Sequence, residues 1–411
     1  MLPPAGSMRR DVLAAYLAVG ARIGGLAVVS AVVYRRLGLE AFAAFNLVRS
    51  TVGLLNYTGL GLAPAMVRML AEARSPRAVL APYEPAGGPS APRVLSYAPS
   101  DGGGGTPLSP AARVYAAGEL LAVLLSVVGA LVALSADEWT QAAFGMATRL
   151  NLYVHAGNLA VGLGLSIVLR LLSDPPSSVL LVNGRVALDN LLLAASEILA
   201  VLLVVAWVGG HGHLGSVGLA YFAASLGLLV ARVVAASLTE RGLVGKGLEL
   251  NLRAVKSLFP VQKALLGFGV LVTLGQLADF LYSPVDFILI SHLLRLEHVG
   301  IYAPAVQIDA GLLTLVTGLS VVLLPRTAVA HAGGDSERVR RYYTRGTLAS
   351  TALLAAAALA VWLLSPWILR LWLGRDMPET RAVLPLVLIH TVVGGSPGGR
   401  TCWTSWRIEI S

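Results

Sequence analysis

The stretch VALDNLLLAASEILAVLLVVAWV, residues 186–208, decides how the rest of the chain is read. It is apolar for the full length that a helix needs to cross a hydrocarbon core, about 20 residues for roughly 30 Å. Yet it carries Asp189, Asn190, Ser196 and Glu197, with Asn190 and Glu197 seven positions apart and so on one helix face. Polar and charged groups are costly in lipid and face a protein interior or a water-filled path. A segment of this kind belongs to a membrane bundle with a polar interior.

Working outward, the same pattern recurs. Further apolar spans are Asp11–Tyr34, Phe42–Leu62, Val114–Leu134, Leu152–Leu172, Val217–Leu238, Ala264–Leu293, Gly300–Leu324, Leu348–Leu373 and one starting near Ala382. With 56% hydrophobic and 13% charged residues and a mean hydropathy of +0.74, the composition agrees. No barrel-type alternation is present, so the class is all-α, a polytopic membrane helix bundle of about ten spans. The seventh span is too long for one straight crossing and contains Pro284, which predicts a bend. Arg9-Arg10 and the first span lack a small-residue cleavage site and read as an uncleaved helix.

Lys and Arg set the orientation. With the N-terminus in the cytoplasm, 19 fall in inner segments, Arg170 and Arg185 among them, against 7 in outer ones. Cytoplasmic loops beside anionic lipid thus account for the net charge of +9 without nucleic acid. The single cysteine, Cys402, excludes an intramolecular disulfide or a cysteine metal site.

Sliding the sequence by 257 residues aligns LGLEAFAAFNLVRSTVGLLNYTGLGL (37–62) with LRLEHVGIYAPAVQIDAGLLTLVTGL (294–319). Leu37/Leu294, Leu39/Leu296, Glu40/Glu297, Leu55/Leu312, Gly61/Gly318 and Leu62/Leu319 match. Both copies start at the outer end of an even-numbered span. The expectation is therefore two parallel-repeat lobes of six helices about an axis along the membrane normal. The first covers 1–257, with a Pro/Gly/Ser-rich cytoplasmic insertion at 75–110; the second, 258–411, holds about four helices. After Val393 the sequence GGSPGGRTCWTSWRIEIS changes character and reads as a frameshift or truncation.

Several spans present polar stripes. Span 2 aligns Asn46, Arg49, Gly53 and Asn56; span 4 aligns Asn151, His155, Asn158, Gly162 and Ser166. Span 7 aligns Thr273, Gln276, Asp279, Ser283 and Asp286; span 8 aligns Gln307, Gly311, Thr314 and Gly318, with Asp309 off that line. Small and amide residues also mediate helix packing, as Gly20-x-x-x-Gly24 is expected to do. The mid-membrane cations Arg22 and Arg49 demand a partner: a carboxylate such as Asp279 or Glu197, or an anionic substrate. A guanidinium fork suits bidentate phosphate recognition. Arg232 and Glu119, nearer helix ends, are expected to snorkel outward. His211 and His213, without acidic company, make a weak metal site.

The stretch YRRLGLEAFAAFNLVRSTVGLLNYTGLGLAPAMVRMLAEA (34–73) resembles the second-helix region of polysaccharide flippases, the O-antigen-type exporters of lipid-linked oligosaccharides. These belong to the multidrug/oligosaccharidyl-lipid/polysaccharide exporter superfamily. VDFILISHLL…VGIYAPAVQIDAGLLTL…LLPRTA (285–328), GGDSERVRRYYTR (333–345) and ILRLWLG (368–374) are similar to their second lobe. The resemblance implies two lobes around a cavity that opens alternately inward and outward. It implies a polyprenyl-pyrophosphate-linked sugar carried from the cytoplasmic to the outer leaflet of the cell membrane, with arginines of helices 1 and 2, here Arg22 and Arg49, lining the cavity. On that reading Asn46, Asn56, His155, Asn158 and Gln276 join them as substrate contacts, and Asp279, Asp286, Glu197 and Asp309 serve as charge partners or couple transport to H⁺ or Na⁺. No cofactor is required. A cation-coupled multidrug antiporter of the same superfamily is the alternative, and cavity charge discriminates: cationic drugs prefer acids, anionic lipids prefer arginines. The short outer segments Arg35–Ala41 and Gly209–Ser216 argue against an enzyme.

Overall fold

The computed structural model describes residues 5–59, 61–74, 109–135, 138, 150–243, 258–267, 269–270, 273–274, 284–332 and 336–395. Among them every regular element is helical. The helices are α1 (Ala5–Leu37), α2 (Leu39–Val52), α3 (Leu62–Arg74), α4 (Pro110–Leu134), α5 (Leu150–Leu172) and α6 (Asp174–Val182). They continue with α7 (Val186–His211), α8 (Gly215–Thr239), α9 (Pro284–Leu293), α10 (Leu296–Ala332), α11 (Ser336–Leu373) and α12 (Pro378–Gly395). Six helical stretches among the described residues are long and apolar enough to cross a membrane: 10–37, 110–134, 155–182, 186–210, 215–239 and 344–373. Large apolar side chains such as Leu131, Leu202, Leu363, Trp367 and Leu386 point outward. A soluble monomer does not tolerate so extensive an apolar exterior, whereas lipid matches it. The chain is a multi-pass membrane protein.

Span 2 departs from the expectation. Instead of one helix over Phe42–Leu62, α2 stops at Val52 and a 3-10 segment (Gly53–Gly59) follows before α3. The sequence contains the cause. Ser50 and Thr51 donate their hydroxyls back to the Leu47 carbonyl at 3.0 and 2.8 Å, and the Asn56 amide donates to the Gly53 carbonyl at 3.0 Å. Such local bonds compete with the α-helical ladder, and Gly61 then turns the chain with φ +60°. After span 4, Pro175 and Pro176 sit in the first turn of α6, where a missing N–H is tolerated, and Pro175–Leu180 are buried. Pro284 opens α9; the preceding residues 275–283, with Gln276 and Asp279, lie outside the described residues, as do 75–108 of the insertion and 396–411.

Contacts divide the chain into two units, Met1–Leu37 with Phe45–Leu294, and Gly38–Ala44 with Arg295–Ser411. The sequence-based division put residues 258–294 in the second lobe; Leu258, Val261 and Leu265 pack in a core with Met66, Leu70 and Tyr115 of the first unit. In that unit α1 lies along α7, α5 along α8, and α7 against α8, with α4 beside α5. The α5–α8 crossing is close because a Cβ on Gly162 would lie 2.4 Å from the Gly218 backbone. Small residues let membrane helices approach in this way. Gly20 and Gly24 have open space around them; Gly25, 3.0 Å from Val201 for a built Cβ, is the glycine that α1 turns to α7. The Asp11 carboxylate accepts the Ala187 N–H at 3.1 Å and so caps α7. In the second unit α10, α11 and α12 pack on one another around Ala305, Leu312, Leu354, Leu384 and Leu388. Here α11 begins at Ser336, so the basic run 336–345 is helical.

Candidate functional site

The site grows from the way α5, α7 and α8 pack in the first unit. Glu197, mid-way along α7, is buried, and its Oε1 lies 2.8 Å from Nη2 of Arg170, in the last turn of α5. Arg170 Nε donates to Ser225 Oγ of α8 at 3.3 Å. Around this pair gather Arg49 of α2, Arg22 of α1 and Tyr221 of α8: Arg49 lies within electrostatic reach of Tyr221, Arg22, Glu197 and Arg170. The other four groups reappear around Tyr221. Three guanidinium groups thus share one carboxylate. Neither Arg22 nor Arg49 forms an ion pair among the described residues, and both are exposed. Glu197, named from sequence as a partner for those two, is held by Arg170 instead. Like charges brought together without compensation are costly, and they are kept where an anion completes them.

The remaining predicted residues fall in several places. Asn46 is buried one turn before Arg49 on α2. Asn56 is exposed in the 3-10 segment, bonded to Gly53. Asn158 packs against Gly215 at the start of α8, 3.1 Å from Cβ to Cβ for a built side chain. His155, three residues earlier, stacks on His213 with ring centroids 4.8 Å apart and planes 20° from parallel. Asp286 is half-buried in α9. Asp309 belongs to the second unit, where it accepts the Thr391 hydroxyl of α12 and lies near His390. No group of three or more His, Cys, Asp or Glu side chains that would hold a metal ion occurs among the described residues.

Two expectations of snorkelling are corrected. Arg232 is buried between helices: Nη2 donates to Asp189 Oδ2 and Nη1 to Ser173 Oγ, each at 2.9 Å. Glu119 is half-buried in α4, with its Oε2 out of hydrogen-bond contact. Arg170 and Tyr221 were not singled out from sequence. Arg170 sits at the inner end of a span and reads as one more inner-loop cation; only the fold sets it beside Arg49.

A family profile described as "Polysaccharide biosynthesis protein" matches residues 139–380, more than half of the chain. The chain belongs to this family. Searched against curated proteins, this polysaccharide biosynthesis protein returns no match. Among solved structures it is similar to the lipid II flippase MurJ in an inward closed conformation, with a TM-score of 0.62 and 12% identity over 94% of this chain and 75% of that one. It is similar also to an inward-facing multidrug resistance MATE transporter of the MOP superfamily, with a TM-score of 0.67 and 14% identity over 94% and 84% of the two chains. A third likeness, at TM-score 0.55 and 16% identity over 97% and 84%, is the MATE transporter DinF-BH in complex with R6G. At these identities the likeness establishes the fold.

Proposed function

We propose that this polysaccharide biosynthesis protein is a flippase. It carries a polyprenyl-diphosphate-linked saccharide from the cytoplasmic to the outer leaflet of the cell membrane by alternating access, with its N-terminus in the cytoplasm and without catalysing a reaction. The observation that supports this most is the excess of cations in the first unit, where Arg49 shares Glu197 with Arg22 and Arg170. In the reading advanced here Arg22 and Arg49 receive the diphosphate, whose oxygens accept two parallel N–H bonds from each fork. Asn46, Asn56 and Asn158 serve the saccharide. Asp309, with Thr391 and His390 beside it, is the proposed group through which H⁺ or Na⁺ is coupled. The positive sign of the first-unit cluster favours an anionic lipid over the cationic substrates of a multidrug antiporter.

The test is delivery of a labelled polyprenyl-diphosphate sugar to the far leaflet of proteoliposomes. Charge-assisted hydrogen bonds contribute about 1.5–3 kcal/mol each, so Arg22→Gln and Arg49→Gln are expected to slow delivery at least tenfold. Unchanged rates in both variants would remove the assignment.

A further inference from the structure

The flippase reading uses Arg22 and Arg49 and leaves Arg170 without a part. Its geometry supplies one. A guanidinium carries five N–H donors in a planar fork. In Arg170 the contacts use two of the three nitrogens: Nη2 lies 2.8 Å from Glu197, and Nε donates to Ser225 at 3.3 Å. Nη1 takes part in neither contact. Exposure is lopsided in the same sense: the Arg170 side chain is 28% accessible, the Glu197 side chain 6%. The carboxylate of the pair is closed off while its guanidinium is accessible, and Arg22 and Arg49 belong to the same group of charges. Glu197 cannot easily release its partner, because a buried carboxylate left alone is strongly unfavourable. An anion can therefore add to Arg170 but not displace Glu197 from it.

We propose that Arg170 is a third ligand for the diphosphate, anchored through Nη2 and Nε by Glu197 and Ser225 and offering Nη1 to phosphate oxygens; this rests on the flippase reading. Glu197 is a positioning residue. It also sets the formal charge of the site: three arginines and one glutamate sum to +2, the complement of the two ionised oxygens of a diphosphate diester.

The proposal is tested by calorimetric binding of farnesyl diphosphate and of inorganic pyrophosphate to the detergent-purified full chain. The double variant Arg170→Gln/Glu197→Gln removes both charges, leaves the local net charge at +2 and keeps an amide pair of similar shape. If Arg170 is a ligand, binding weakens tenfold or more although the net charge is unchanged. If Arg170 only neutralises Glu197, a folded double variant binds as wild type does, and the proposal is overturned. Arg170→Lys keeps the charge and one contact to Glu197 but has no second nitrogen to offer; it is expected to bind as weakly as the double variant, and it decides the matter if the double variant does not fold. Arg49→Gln separates the two levels. Weakened binding in Arg49→Gln beside unchanged binding in Arg170→Lys and in the double variant overturns the role of Arg170 alone. Unchanged binding in Arg49→Gln, or no binding of either probe to wild type, overturns the flippase reading of the site with it. Tighter binding of farnesyl diphosphate than of pyrophosphate assigns the diphosphate to a lipid, and equal binding assigns it to a free diphosphate.

Discussion

Two arginine–carboxylate pairs lie in the same unit, each with its carboxylate on α7, and they are built to opposite plans. Arg232 and Asp189 are each 9% exposed, and Arg232 is enclosed by Asp189 and Ser173. Its Nε lies 2.9 Å from Asp189 Oδ1, a close charge contact whose angle falls short of a hydrogen bond. A second carboxylate, Asp174, is within electrostatic reach. Arg170 and Glu197 form a pair that is open on one side, and the surplus around it is positive. A pair shut away on all sides cannot be reached by a ligand and serves to join helices. A pair left open beside cations that form no ion pair among the described residues has a guanidinium within a ligand's reach. Burial of a charge pair alone therefore says little about function; what distinguishes the two is whether the guanidinium can be reached and which charges surround it.

The largest expected effect breaks the closed pair. Asp189→Ala leaves Arg232 buried without its ion-pair partner and is expected to cost about 3–5 kcal/mol, read as a large drop in thermal unfolding temperature. The double replacement Asp189→Leu/Arg232→Met, which removes both charges, is expected to recover most of that stability, because a buried pair contributes little beyond an apolar equivalent. Next comes the α5–α8 crossing, which the Arg170–Ser225 contact spans. Gly162→Ala forces α5 away from Gly218 and is expected to cost about 1–3 kcal/mol, with saccharide-lipid transport falling in parallel since Arg170 and Tyr221 move apart. At the open cluster the pattern reverses: Arg49→Gln is expected to abolish most transport while the unfolding temperature stays within a degree or two of wild type, because the position is exposed. The smallest effect is Ser225→Ala. Loss of one ordinary hydrogen bond is worth about 0.5–1.5 kcal/mol, so diphosphate binding is expected to weaken by less than about tenfold, with stability hardly changed.

Much of the membrane fold is legible in the chain because it follows from run length and composition: the 186–208 stretch announces α7, and 110–134 and 215–239 behave alike. Span 2 is not, because its break depends on Ser50, Thr51, Asn56 and the glycines around them acting together against an otherwise apolar run. The candidate site is half legible. Arg22 and Arg49 stand out because a cation in the middle of an apolar span needs a reason. Arg170 does not, since a cation at the inner end of a span is also what topology alone demands, and Arg232 misleads in the same way. Which arginine holds Glu197 is set by how α5 seats against its neighbours, and that seating depends on close approaches such as Gly162 of α5 to Gly218 of α8 that no single helix reveals. The stacking of His155 on His213 likewise exists only once the turn between α7 and α8 has folded over α5.

The central claim is that the open cluster carries an anionic lipid. It is tested most directly in proteoliposomes that contain both a labelled polyprenyl-diphosphate saccharide and a fluorescent organic cation, comparing wild type with Arg22→Gln/Arg49→Gln. The expected result is translocation of the saccharide lipid by wild type, its loss in the double variant, and no movement of the cation by either. Translocation of the cation without the lipid, or equal lipid rates in the two proteins, would contradict the claim.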